Sequence, residues 1–184
     1  IMEQFTQTYK KHSNDHVAIR EAMCLKEQYP ATMCDIEEGD IFAGRTVYQP
    51  IGFSPQAHYG LTYYFSEERC NELFLDPSIT AENREILKNL IEFWRTENTM
   101  YKVRKAYPEI MQKYLPEDDY MNNSGIGFPL YRMSGAQLHF EKLVEKGIPG
   151  LLEEIETNMH QNVELFTAMK SALETLIDVC HYYK

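Results

Sequence analysis

Apolar residues recur at helical spacing in several separate blocks of this chain, and the polar stretches between them carry start and stop signals. The clearest block is Ile86, Leu87, Leu90, Ile91 and Trp94, a stripe with the 3.6-residue period of an amphipathic helix. Thr80 stands ahead of it as an N-cap. Near the C-terminal end, Leu165, Met169, Ala172, Leu173, Leu176 and Val179 fall on one broad face. Glu164, Thr167, Ser171, Glu174 and Asp178 fall on the other, which predicts a helix over Asn162 to Tyr182 with that second face in solvent.

Weaker patterns predict further helices. Met2 to Lys11 is a short one, and the polar break Ser13-Asn14-Asp15 caps a second over His16 to Gln28, with Ile19, Ala22 and Met23 on one face and Pro30 as its stop. Ser66 caps a helix to Leu75, with Glu67 and Glu68 placed favourably in its first turn. Pro108 to Tyr114, Ala136 to Lys146 and Pro149 to Met159 complete the set, with Gly147 as a C-cap and prolines 108 and 149 in first turns.

Two stretches refuse helix. Residues Ala31 to Gly60 hold Gly39, Gly44, Pro50, Gly52, Pro55 and Gly60, so ordered loop is expected there, with Thr46-Val47-Tyr48 as a short strand. Met121 to Gly135 is a second irregular loop. The fold class is therefore mainly α, in a single region over residues 1–184 with no dividing linker.

Composition narrows the function classes. The chain has 184 residues, 43% hydrophobic and 25% charged, which is globular and enough for one sizeable core. A net charge of −10 argues against a nucleic-acid or anionic-membrane surface, since both need basic patches. No apolar run approaches the roughly 18 residues of a membrane span. Ile1 precedes Met2, so the numbered start does not read as a translation start, and Ile1 to Lys11 lacks the apolar core of a signal peptide.

Candidate chemistry is sparse. Cys24, Cys34, Cys70 and Cys180 form no CxxC pair, and buried thiols in a reducing cytoplasm account for them. His12 and His16 have the i,i+4 spacing of helical metal ligands, but the break between them puts them on different elements, so no metal site is expected. Gly125-Ile126-Gly127 lacks the third glycine of a dinucleotide fingerprint and the lysine of a phosphate loop. Tyr48, Phe53, Tyr59, Tyr63, Tyr64 and Phe65 read as aromatics anchoring a loop rather than a binding platform. Arg45 and Arg132 lie in the two irregular loops, where a guanidinium can take a carboxylate. Glu174 lies beside Lys170 and Asp178, and its ordinary reading is a solvated residue in a weak i,i+4 pair.

Several segments, taken in order, resemble the N-terminal region of the glycyl radical enzymes, the pyruvate formate-lyase and diol dehydratase superfamily. They are Arg20-Glu21-Ala22-Met23 through Asp40-Ile41-Phe42-Ala43-Gly44, and Leu90-Ile91-Glu92-Phe93-Trp94-Arg95-Thr96-Glu97-Asn98-Thr99. Ser124-Gly125-Ile126-Gly127-Phe128 follows, then Gly135 and His139 to Val144, then Gly147-Ile148-Pro149-Gly150 to Ile155. Leu165-Phe166-Thr167-Ala168-Met169 is similar to the opening of the long helix that lines the barrel in that family.

The resemblance implies a helical portion that, in the full enzyme, would wrap a ten-stranded α/β barrel. Relatives present a tyrosine and, eight residues later, an aspartate to substrate. The matching positions are Phe166 and Glu174, with the hydroxyl lost and one methylene gained. Ser134-Gly135 stands where many relatives carry Gly-His, so Glu174, Phe166, Arg132 and Ser134 are the expected substrate-binding residues. The family's chemistry needs a glycyl radical, made by a radical S-adenosylmethionine activating enzyme with an iron–sulfur cluster, and a thiyl-forming cysteine on a loop inside the barrel. Neither motif is in these 184 residues, so no catalytic residue is assigned, and the radical is expected elsewhere in a longer protein.

The expectation is therefore a part, inert by itself, of a cytoplasmic, anaerobic lyase or dehydratase acting on a small polar molecule. Its partners would be the remainder of the barrel and the activating enzyme, with homodimerisation left open. The competing expectation is a free-standing acidic helical module that binds another protein.

Overall fold

The computed structural model describes residues 2–31, 33–44, 53–54, 64–65, 67–114 and 139–183, and it is mainly helical. The chain divides into two compact units, one built from residues 1–48 with 138–184 and the other from residues 49–137.

In the first unit, α1 (Met2–Lys11) buries Met2, Phe5, Thr6 and Tyr9, the i, i+3, i+4, i+7 pattern of one helical face. It packs on α2 (Val17–Ala31), where the Arg20 guanidinium lies 4.6 Å from the centre of the Tyr9 ring. The cap of α2 is His16 rather than the preceding polar triplet: its Nδ1 accepts the Ala18 N–H at 3.2 Å. Asp15 instead bonds His12 at 2.6 Å. The helix also runs past its expected stop at Pro30. A proline deletes one N–H, but its fixed φ is helical, so the final turn persists.

The longest helix is α8 (Val163–Tyr182), with Asn162 as its cap: Asn162 Oδ1 accepts the Leu165 N–H at 3.0 Å. Its main neighbour in this unit is α2, with α7 (Phe140–Asn158) next. The face that α8 buries overlaps the broad apolar one, with Val179 buried and Ala172, Leu173 and Leu176 half-buried, but it is rotated toward the small residues. Ala168, Ser171, Thr175 and Val179 are buried, whereas Leu165 and Met169 stay 42% and 43% exposed. Ser171, expected in solvent, is therefore in the core. Helix axes approach closely only where side chains are small, and hydroxyls can be buried there by bonding back to the helix, as Thr175 Oγ1 does to the Ser171 carbonyl at 2.9 Å. At the far end, Tyr183 donates to the Cys34 carbonyl at 2.7 Å and Tyr182 donates to Asp35, which ties α8 to the segment after α2.

In the second unit, β1 (Phe53–Ser54) pairs antiparallel with β2 (Tyr64–Phe65), Phe53 opposite Phe65. Helix α3 (Glu67–Leu75) leads to α4 (Ala81–Glu97) through a turn held by Arg84. The Arg84 guanidinium donates to the carbonyls of Phe74, Asp76 and Ile79 at 2.5, 2.9 and 3.3 Å, which satisfies the end of α3. Asp76 accepts the Ser78 N–H at 2.8 Å, and its carboxyl is held below its ordinary pKa by the hydrogen bonds from Ser78 and, less, by the Arg84 charge.

On α4, Leu87, Leu90, Ile91 and Trp94 are buried as the periodicity predicts, and Thr80 caps it through the Asn83 N–H at 3.2 Å. Asn98 then ends α4 and starts α5 (Thr99–Ala106), a helix that the apolar periodicity does not mark. Its N–H and amide donate to the Trp94 carbonyl while its Oδ1 accepts the Tyr101 N–H at 2.9 Å. Pro108 caps the short α6 (Glu109–Gln112) from outside its first turn. The expected Ser66 cap, the Thr46–Tyr48 strand, the loop of residues 121–135 and the helical start at 136–138 lie outside the described residues.

Candidate functional site

Helix α7 is broken where the sequence places a stop and a restart. Gly147 has φ of 62°, a conformation that favours glycine, and Pro149 begins the second segment. Gly150 is needed at close quarters too, because a Cβ there would lie 3.0 Å from the Lys146 Cβ. The kink at Gly147 brings distant positions together. Lys142 and Glu154 would be about 18 Å apart on a straight helix, yet Lys142 Nζ donates to Glu154 Oε1. Lys146 Nζ reaches the other oxygen, Oε2, at 2.7 Å. One carboxylate thus clamps both lysines across the kink.

The two hydrogen bonds from Lys142 and Lys146 hold the Glu154 carboxyl down to a pKa of about 2. A depressed folded-state pKa adds stability above the unfolded value, and that stability disappears as pH falls toward the folded one. The expected result is that wild-type protein loses thermal stability between about pH 4.5 and 2 relative to Glu154→Gln. The variant should be the less stable of the two at neutral pH, and the gap should shrink with added salt, since the clamp is solvent-accessible. Melting curves across pH check this, and parallel profiles for the two proteins would refute it.

Between the second segment of α7 and α8 lies a cleft of about 490 Å³. Leu151, Glu154, Ile155 and Asn158 line it from α7, Phe166, Met169, Ala172 and Leu173 from α8, and Lys142 closes one edge. Its polar groups are engaged with each other. Asn158 Nδ2 donates to the Glu154 carbonyl and Gln161 donates to Asn158 Oδ1, both at 2.8 Å. The sequence signals for this cleft were the Gly147–Pro149 link and the Lys142, Lys146 and Glu154 charges. The kink angle that makes them neighbours has no sequence signature.

Of the expected site residues, Phe166 is in the cleft wall. Glu174 is exposed on α8 and does not line the cleft; it acts on Lys170, whose pKa is raised chiefly by its bond to Glu156 at 2.7 Å and to a lesser degree by the Glu174 charge. Phe166 and Glu174 thus share one helix, about 12 Å apart along its axis, and Phe166 is the one of the two that lines this cleft. Arg132 and Ser134 lie outside the described residues, as do Arg45, Gly125-Ile126-Gly127 and the aromatics Tyr48, Tyr59 and Tyr63.

Cys24 and Cys70 are buried, as expected of small apolar side chains, whereas Cys180 is exposed on α8, and no disulfide joins the four cysteines. Among the described residues no group of His, Cys, Asp and Glu is arranged to hold a metal ion, and no helix is long and apolar enough to cross a membrane.

A family model described as pyruvate formate lyase-like matches residues 1–184, the whole of this sequence. No curated protein and no solved structure gives a significant match.

Proposed function

This chain belongs to the pyruvate formate lyase-like family, and we propose that it is the N-terminal helical part of a glycyl radical enzyme, wrapping the barrel and lending one helix to the substrate pocket. The match across residues 1–184 carries this reading. In the complete enzyme, the radical chemistry comes from a glycyl radical and a thiyl-forming cysteine supplied outside this stretch. The residues here do not fit those roles: Cys24, Cys70 and Cys180 sit within helices, and Cys34 follows one. No radical step is therefore assigned to them, and the part is inert by itself.

The contribution of this chain is binding. Phe166 offers an apolar surface to the body of a small substrate, and Glu174 a carboxylate to its polar end. Arg132 and Ser134 stand with them as substrate contacts on the strength of the family likeness. The substrate is a small polar molecule, the reaction is a lyase or dehydratase step in an anaerobic cytoplasm, and the remainder of the barrel and a radical S-adenosylmethionine activating enzyme are the partners.

Extending the reading frame at the locus tests the proposal. A frame that continues for several hundred residues to a glycyl radical motif is expected. A stop codon directly after Lys184 would overturn the proposal in favour of a free-standing module that binds another protein. In the longer enzyme, Glu174→Ala should lower kcat/KM about 10- to 100-fold, the loss of one hydrogen bond to a charged group. An unchanged kcat/KM for the true substrate would remove Glu174 from the pocket.

A further inference from the structure

We propose that the first segment of α7, residues 140–146, is a hinged arm that pivots on Gly147 and is held in place by one carboxylate, that of Glu154. The segment carries its own ends. His139 Nδ1 accepts the Lys142 N–H at 3.1 Å and caps its start. Gly147, at φ 62° and ψ 178°, interrupts the helix behind it. The hold of this segment on the rest of the chain is slight. None of residues 139–146 is buried: Lys142 and Leu143 are half-buried and the others exposed. Among the described residues, its side chains bond across the kink only through Lys142 and Lys146, and both go to Glu154. The second segment is anchored differently, since it buries Ile155.

Three solvent-accessible charges make a weak and adjustable fastening. An ion pair in water gains little, because both side chains lose freedom and salt screens their attraction. The screening length falls from about 10 Å at 0.1 M salt to about 3 Å at 1 M, so all three charges weaken together. Glycine supplies the pivot, because a residue without a Cβ crosses between backbone regions that a side chain closes off. Lys142 stands at the edge of the cleft between α7 and α8, so that edge opens when the arm moves. The segment is a lid whose position follows ionic strength. It needs neither Phe166 nor Glu174 to bind substrate, so either reading can fail while the other stands.

A freed arm also loses its helix, because a segment this short is marginal in water without neighbours. Amide hydrogen exchange on the full-length chain, read by mass spectrometry, therefore reports its release. In the wild type, residues 142–146 should exchange faster than residues 151–158. Glu154→Gln should speed the first group about fivefold, the scale of one or two exposed ion pairs, and leave the second within about twofold. Raising salt to about 1 M should do the same to the wild type. Lys142→Glu and Lys146→Glu combined with Glu154→Lys reverse every charge, and in that variant, once circular dichroism shows it folded, the arm should regain wild-type protection. Unchanged exchange in Glu154→Gln overturns the proposal. Equal acceleration of both groups also overturns it, by making Glu154 an ordinary stability contact, as does failure of the charge-reversed protein to recover.

Discussion

Trp94→Ala is expected to cost the second unit about 3–5 kcal/mol, the range for truncating a buried tryptophan and leaving a cavity. Trp94 is 2% exposed, and its ring meets Phe93 edge-on at 5.2 Å between centroids. Leu87, Leu90 and Ile91 are buried along the same face of α4, and no smaller residue can replace the tryptophan in volume. The end of the helix does not explain the loss, because Asn98 bonds the Trp94 backbone carbonyl and that group survives the substitution. Trp94→Phe should cost markedly less, since it keeps a ring in the same space. Urea titration followed by circular dichroism measures both, and the single tryptophan of the chain makes fluorescence unusable for the variants. A loss below about 1 kcal/mol for the alanine variant would mean that α4 does not pack around this side chain.

Helix α4 was legible because one physical effect decides it. Its large apolar residues are also its buried ones, so the period of hydrophobicity and the period of burial coincide. The Gly147–Pro149 link was legible for a similar reason, since backbone chemistry there permits few conformations. Helix α5 escaped because Asn98 closes one helix and opens the next with no intervening loop, which leaves no polar gap to mark the junction. Phe166 lies in the wall of the cleft between α7 and α8. The opposite wall was not legible. Leu151, Ile155 and Asn158 line the cleft with Phe166 because α7 kinks at Gly147, and Glu154 bonds two lysines across that kink.

On α8, hydrophobicity and packing disagree, and Ala168→Leu measures which of them governs. Ala168, Ser171 and Thr175 are 6%, 9% and 1% exposed, on the helix whose main neighbour is α2. Adding three carbons at position 168 forces the two helices apart or drives a side chain off its rotamer, at a cost of about 1–3 kcal/mol. Alanine and leucine have similar helix propensities, so that term does not mask the result. Leu165→Ala removes a larger apolar group from a position 42% exposed and should cost less than about 1 kcal/mol. Ranking residues by hydrophobicity alone reverses the order, with Ala168→Leu helping and Leu165→Ala the costlier change. If thermal melts show that reversed order, then Leu165 and not Ala168 is the buried position on α8, and the cleft beside Phe166 closes.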